Sequence, residues 1–421
     1  MQERAPVANS ARRALRCFQK PLLLVISVLA TTAAGATPTG QELAGRCRAW
    51  ASDARNPWAL AHGVVLEGRA FRASDGRLAS DVVVSDFLRR APALEDAPSK
   101  RADLFFEPFT SDNSTPVEPH PALQVKTLLA AGLPLSRRFT ASWGAVTLRE
   151  LVEDVKRDFR MDQVASAESA WMLDVLSLAS RPGDTFRDGT GRQVGVNAVM
   201  ERALATLEAE QAELASGMKA GRPEVPKRGQ GIYAHPCGGL HYFQAVAGWA
   251  RHPTVRAAWK QRLAAQVDVL LYRLDSEMRQ YETAWASVPT QRELVLAQML
   301  KFQGHFLETL GRFRDDTGWR PTAVQQETVE RARGYLENTL RRMDETGLLA
   351  APASVATRNR QLALDLVGDT CHAAHGEALW SRPSSGRTPS RAAPTPSPQA
   401  SPTRQAGGDE FRAPCLLPRC P

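Results

Sequence analysis

The sequence predicts an all-α protein built from antiparallel helix hairpins, arranged as an α/α barrel (toroid-like) or as an irregular helical bundle. Three observations carry this. Apolar residues recur at helical spacing over most of the chain, helix start and stop signals bracket those stripes, and strand signals are scarce. No internal repeat has a fixed period, which argues against a tetratricopeptide-type solenoid.

The elements follow in order. Thr39 and Glu42 have the spacing of a capping box, with Leu43, Cys47 and Trp50 on one face behind it. Asn56-Pro57 has the form of an N-cap followed by proline in the first turn, opening a helix through Trp58, His62 and Leu66. Thr147 and Glu150 repeat the capping-box pattern ahead of Leu148, Leu151, Val152, Val155 and Phe159. Val196 to Met218 reads as one long stripe that stops at Gly221 and Pro223. The clearest helix runs over 254–286, where Val255, Trp259, Leu263, Val267, Leu270, Leu274 and Met278 alternate in steps of four and three. Helices are expected at 290–314, at 322–346 behind the Thr322/Gln325 capping box, and at 356–380. Val82-Val83-Val84 is β-branched, yet Leu78, Val82, Phe87 and Leu88 also fit a helix. The stretch 91–120 is rich in proline, aspartate and serine, and is expected to be a long loop packed by Phe105, Phe106 and Phe109.

Both ends differ from the body. Arg4, Arg12, Arg13, Arg16 and Lys20 precede an apolar run from Pro21 to Ala30, which ends in small residues with Ala34-Gly35-Ala36 as an A-x-A cleavage site. Residues 1–36 therefore read as a signal peptide, and the chain is expected to be exported, periplasmic or extracellular. The run is short for a membrane span, and no second run approaches that length, so no transmembrane span is expected after cleavage. Residues 381–421 hold nine prolines among serine, threonine, alanine and arginine, the composition of a disordered tail. The helical domain is 37–380.

The net charge of +8 belongs to those ends. The leader has five basic residues against one acid and the tail six against two, which leaves 42 of each sign in the body. A phosphate-tracking groove needs clustered surplus positive charge, so nucleic acid is excluded as a partner. The partner, whether small molecule, glycan or protein, is left open.

No G-x-S-x-G elbow, phosphate-binding P-loop or H-E-x-x-H motif is present. Gly189, Gly191 and Gly195 have the wrong spacing for a phosphate loop and mark a turn. Two segments concentrate the chemistry. One is His235-Pro236-Cys237-Gly238-Gly239-Leu240-His241, at a glycine-rich helix entry where free N–H groups favour anions and thiolates. The other is Cys371-His372-Ala373-Ala374-His375, where Cys371 and His375 lie one helical turn apart. Three outcomes compete: a Cys237–Cys371 disulfide, which export would allow; a zinc site drawing on His235, Cys237, His241, Cys371, His372 and His375; or ordinary core cysteines and packed histidines. A third candidate is the stripe Gln298, Lys301, His305, Glu308 and Arg312. Facing a pocket, His305 and Glu308 would be a catalytic acid/base pair; facing water, the stripe is a solvated face, the commoner fate. Gly304 and Gly311 suggest close approach of a neighbouring helix. His62 reads as a packed core histidine, and His120 and His252 as turn residues. Cys415 and Cys420 are close enough in the tail to pair with each other or with another molecule.

The lack of a catalytic motif favours a non-catalytic binding or structural protein of the cell envelope or exterior. The alternative is a zinc-dependent hydrolase or lyase whose His/Cys/Glu site lies inside a helical barrel.

Overall fold

The computed structural model describes residues 37–91, 103–111, 115–226, 229–235, 237–350 and 352–382. The signal peptide expected over 1–36 and, beyond Arg382, the disordered tail expected over 381–421, with Cys415 and Cys420, lie outside the described residues. Helices dominate: α1 Pro38–Ala51, α2 Pro57–Glu67, α3 Ala79–Phe87, α4 Leu123–Ala130, α5 Leu148–Asp158, α6 Ser169–Ala179, α7 Val196–Glu210, α8 Ala212–Lys219, α9 Leu240–Trp249, α10 Pro253–Ser287, α11 Arg292–Thr317, α12 Ala323–Glu345, α13 Pro352–Ala356 and α14 Arg360–Ser381. Three short antiparallel pairs decorate them: β1 Leu88–Arg90 with β2 Leu104–Phe106, β3 Arg138–Ala141 with β4 Gly144–Thr147, and β5 Thr185–Arg187 with β6 Gln193–Gly195. Among the described residues no helix is long and apolar enough to cross a membrane.

The packing forms a closed circuit. Helix α2 packs on α4, α4 on α6, α6 on α9, α9 on α11, α11 on α14, and α14 returns to α2. The remaining long helices lie outside this ring: α1 against α14 and α2, α3 against α2, α5 against α6 and α4, α7 against α9 and α6, and α10 and α12 against α11. Outer and inner helices alternate along the chain, which is the toroid-like alternative among the expected arrangements. The amino-acid pattern explains who goes where. All ten residues of α9 are buried, and α2 and α6 are buried along most of their length, as helices apolar on every side must be. The outer helices keep one polar face. On α12, Arg331 pairs with Asp275 of α10 and Arg333 with Glu377 of α14, rather than with acids along their own face alone.

Several local expectations change. Thr37 rather than Thr39 caps α1, accepting from the N–H of Gly40 at 3.0 Å, because Pro38 occupies the first helical turn. The caps at Asn56, Thr147 and Thr322 form as read from the sequence. The 196–218 stripe breaks at Gln211 into α7 and α8. Residues 91–120 are not wholly a loop, since Leu104–Phe106 pairs with β1; Phe106 is buried, whereas Phe105 and Phe109 are 44% and 48% exposed. Gly189 and Gly191 lie in the turn between β5 and β6.

The expected Cys237–Cys371 disulfide is corrected. Cys371 on α14 is joined to Cys47 on α1, across a separation of 324 residues, while Cys237 is a free, buried thiol. The reason is spatial: α1 packs directly on α14, bringing the two Cα atoms to 5.0 Å. The bond staples the first helix to the last and so closes nearly the whole domain. Peptide mapping of unreduced protein should recover a Cys47–Cys371 cross-link with Cys237 alkylated, and Cys47→Ser should lower stability by roughly 2–5 kcal/mol. A Cys237–Cys371 cross-link would contradict this pairing.

Helices α11 and α14 approach so closely that glycines are required. A Cβ on Gly304 would lie 2.9 Å from the backbone N of Ala373, and one on Gly376 2.9 Å from the backbone N of Glu308. Gly304→Ala should therefore destabilise by about 1–3 kcal/mol in urea denaturation. Gly334→Ala on α12, where a Cβ meets nothing within 4 Å, should stabilise by roughly 0.5–1 kcal/mol. Equal effects at the two sites would contradict the close approach.

Candidate functional site

Each inner helix sends at least one polar or titratable side chain toward the middle of the ring: His62 from α2, Lys126 from α4, Asp174 from α6, His241 from α9, Lys301, His305 and Glu308 from α11, and Asp369 and His372 from α14. All of these are buried, and most line one cavity of about 330 Å³ whose walls include Trp58, Leu123 and Trp171. The stripe on α11 thus faces a cavity rather than water.

At the centre, His241, His305 and His372 are buried, with their ligand nitrogens all within 4.8 Å of one another. Their ring centroids are 4.8 Å (His241–His305), 3.9 Å (His305–His372) and 5.3 Å (His241–His372) apart. The hydrogen bonds assign each ring the same tautomer. Nδ1–H of His305 donates to the carbonyl of Lys301 at 2.8 Å, Nδ1–H of His372 to Oε2 of Glu308 at 2.7 Å, and Nδ1–H of His241 to Oε1 of Gln244 at a longer 3.4 Å. Each Nε2 is left with its lone pair. Burial holds the pKa of both His241 and His305 well below the usual range, and neighbouring rings and cations add to it. Neutral imidazoles anchored through Nδ1 are the form in which histidine binds a metal.

Glu308 is the support for this group. It is fully buried, and its Oε1 accepts from Nδ1–H of His375 at 2.8 Å while Oε2 serves His372. Burial opposes its charge, but the pull of His372 and the hydrogen bonds from His372 and His375 outweigh that and keep it well below the usual carboxylate range. Gln244 donates to Thr309 Oγ1 at 2.9 Å and accepts from Arg312, which is itself held by Asp174 at 3.0 Å.

A second group lies on the cavity wall. The backbone N–H of Cys237 donates to His235 Nδ1 at 3.2 Å, and its sulfur lies 2.9 Å from the same atom. His235 then donates through Nε2 to His120 Nε2 at 3.2 Å, and His120 Nδ1–H donates to Glu168 at 3.3 Å. This is a directional chain from a buried thiol to a half-exposed carboxylate. The His120 ring stacks on Trp171 at 4.0 Å. Consecutive left-handed glycines, Gly238 and Gly239, make the turn that sets Cys237 ahead of α9; a Cβ on Gly239 would also press on Ile232.

The sequence candidates are therefore redistributed. His241 and His372 meet in the central group, joined by His305, which sequence spacing had paired with Glu308 for acid/base work. That pairing is corrected: Glu308 reaches His372 and His375, and the His305 Nδ1 is taken by a carbonyl on its own helix. Cys371 is occupied by its disulfide and leaves the metal set. His235 and Cys237 belong to the second group, and His375 supports Glu308 from behind. Three cavity residues were missed. His62 lines the cavity, with Nδ1 bonded to the Trp58 carbonyl at 2.7 Å and burial pushing its pKa down to about 3. His120 and Lys126 gave no periodic or motif signal beyond a turn and a lone lysine in an apolar helix. No known protein family, curated protein or solved structure matches the chain.

Helix α4, which carries Lys126, is held at its start by Glu118, whose Oε1 accepts from the N–H of Gln124 at 3.1 Å. Burial raises the Glu118 carboxyl from its ordinary 4.5 to about 7. Between those values the folded chain holds a proton that the unfolded chain releases, so this contribution to stability is present in acid and lost as pH rises through 7. Glu118→Gln should flatten the fall in denaturation free energy between about pH 5 and 7; an unchanged slope would contradict the assignment.

Proposed function

We propose that the chain is a metal-dependent hydrolase whose catalytic centre is a divalent ion, best matched by zinc, held by Nε2 of His241, His305 and His372. The observation that carries this is the convergence of three buried imidazoles from three helices, each with Nδ1 already engaged by an acceptor. With three nitrogen ligands a zinc ion would keep one coordination position open to water, whose pKa it would lower toward about 7 so that the water could serve as the nucleophile. Glu308 supports the His372 ligand in the carboxylate–histidine manner that orients and strengthens metal-binding imidazoles. Of the two function classes left open by the sequence, this geometry favours the enzyme over the binding or structural protein. The Cys47–Cys371 bond agrees with an exported chain, where disulfides persist.

The mature chain purified without chelator or affinity tag should hold close to one zinc per molecule by elemental analysis, and hydrolyse p-nitrophenyl acetate faster than its metal-stripped form. His305→Ala and His372→Ala should abolish both. Glu308→Gln should retain the fold and weaken metal affinity about 10–100-fold. Failure to bind zinc at micromolar concentration, or binding indifferent to the histidine substitutions, would overturn the proposal.

A further inference from the structure

Lys126 stands apart from the other buried charges of the ring. It is 3% exposed, lines the central cavity, and among the described residues no carboxylate or other acceptor pairs with its ammonium. Other buried cations are matched, while Asp369 on the same cavity keeps one carboxylate oxygen without a hydrogen-bond partner. Arg312 is held by Asp174, Lys301 by Asp365 at 3.4 Å, Arg273 by Glu277 at 2.5 Å, and Glu308 by His372 and His375. Burial lowers the Lys126 pKa, and Asp174 and Glu308, near enough to oppose that electrostatically, are both already engaged. An unmatched buried cation is unfavourable until an anion joins it. Burial lowers the pKa of His62, His241 and His305 around it, so a divalent ion at the histidines would enlarge the local positive excess.

We propose that Lys126 is the anion receptor of this cavity, and that the ligand is a small carboxylate with a flat apolar body, its carboxylate on Lys126 and its body against the aromatic wall formed by Trp58 and by the His120 ring that stacks on Trp171. The inference rests on the metal proposal only for the nature of the reacting centre; the receptor itself needs only Lys126 and the cavity. A single ammonium suits a monoanion. The guanidinium forks that would favour a phosphate dianion, Arg312 and Arg273, are spent on Asp174 and Glu277. The remaining wall is mixed: Trp58, Leu123, Pro119 and the His120 ring stacked on Trp171 form its apolar and aromatic part, and Asp365, Asp369 and Glu168 are acids on the same lining, two of them facing Lys301 and one His120. A volume near 330 Å³ lies at the small end of ligand cavities. A substrate of this class would be an ester or amide bearing a carboxylate close to the bond that is cut.

Calorimetric titration of the mature protein tests this with benzoate, its neutral isostere benzamide, acetate and inorganic phosphate, each with and without zinc. Benzoate should bind at least tenfold more tightly than benzamide and more tightly than acetate or phosphate. Lys126→Met should reduce benzoate affinity at least tenfold with its thermal melt no lower than wild type and its zinc content retained, and Lys126→Arg should restore affinity to within a few-fold of wild type. Equal binding of benzoate and benzamide, or unaltered benzoate affinity in Lys126→Met, would overturn the receptor, and a preference for phosphate would overturn the carboxylate assignment. If zinc fails to bind while benzoate affinity still depends on Lys126, the metal proposal falls and the anion receptor stands.

Discussion

Two helices, α11 and α14, lie against each other without the side chains that would ordinarily hold them apart, and the site depends on that contact. Gly304 faces the backbone of Ala373, Gly376 faces the backbone of Glu308, and Gly311 faces the side chain of Leu379. Only at this separation can Glu308 reach across to two histidines of α14 with bonds of 2.7 and 2.8 Å. A wider gap would leave a buried carboxylate without donors, a costly state, and would release the imidazole of His372. The same contact sets His305 against His372, with ring centroids 3.9 Å apart.

The rest of the fold reinforces that pair. The disulfide ties α1 to the back of α14, while Thr37 and Arg333 both engage Glu377, further along α14 than His372. On the other flank, Gln244 of α9 links His241 to Thr309 and Arg312 of α11, and Arg312 continues to Asp174 of α6. Polar bonds thus link α6, α9, α11 and α14 on one side of the centre, in surroundings where each is strengthened by low dielectric and each loss would be expensive. The apolar exterior of the inner helices supplies the burial that keeps this network dry.

Fold class and most helix positions were legible in the sequence because they are local: stripes at 254–286 and 290–314, and caps at Asn56, Thr147 and Thr322, depend on neighbours a few residues away. The close approach signalled by Gly304 and Gly311 was also readable, since only a packed neighbour explains glycines in a strong helix. What the sequence did not reveal was partner choice between distant segments. Cys371 had two chemically equal partners in Cys47 and Cys237, and ring topology chose between them. His305 and Glu308 share a face and so looked like a pair, although each found a better partner. His62 and Lys126 resembled ordinary helix residues, because nothing in a short apolar stretch distinguishes the inside of a ring from the inside of a core.

The central claim is that three nitrogens and no sulfur form the metal site, with Cys237 standing apart on the cavity wall. X-ray absorption at the zinc edge of the zinc-loaded protein tests it directly. Zinc–nitrogen distances near 2.0–2.1 Å with a remaining oxygen from water are expected, and a zinc–sulfur shell near 2.3 Å would contradict the account.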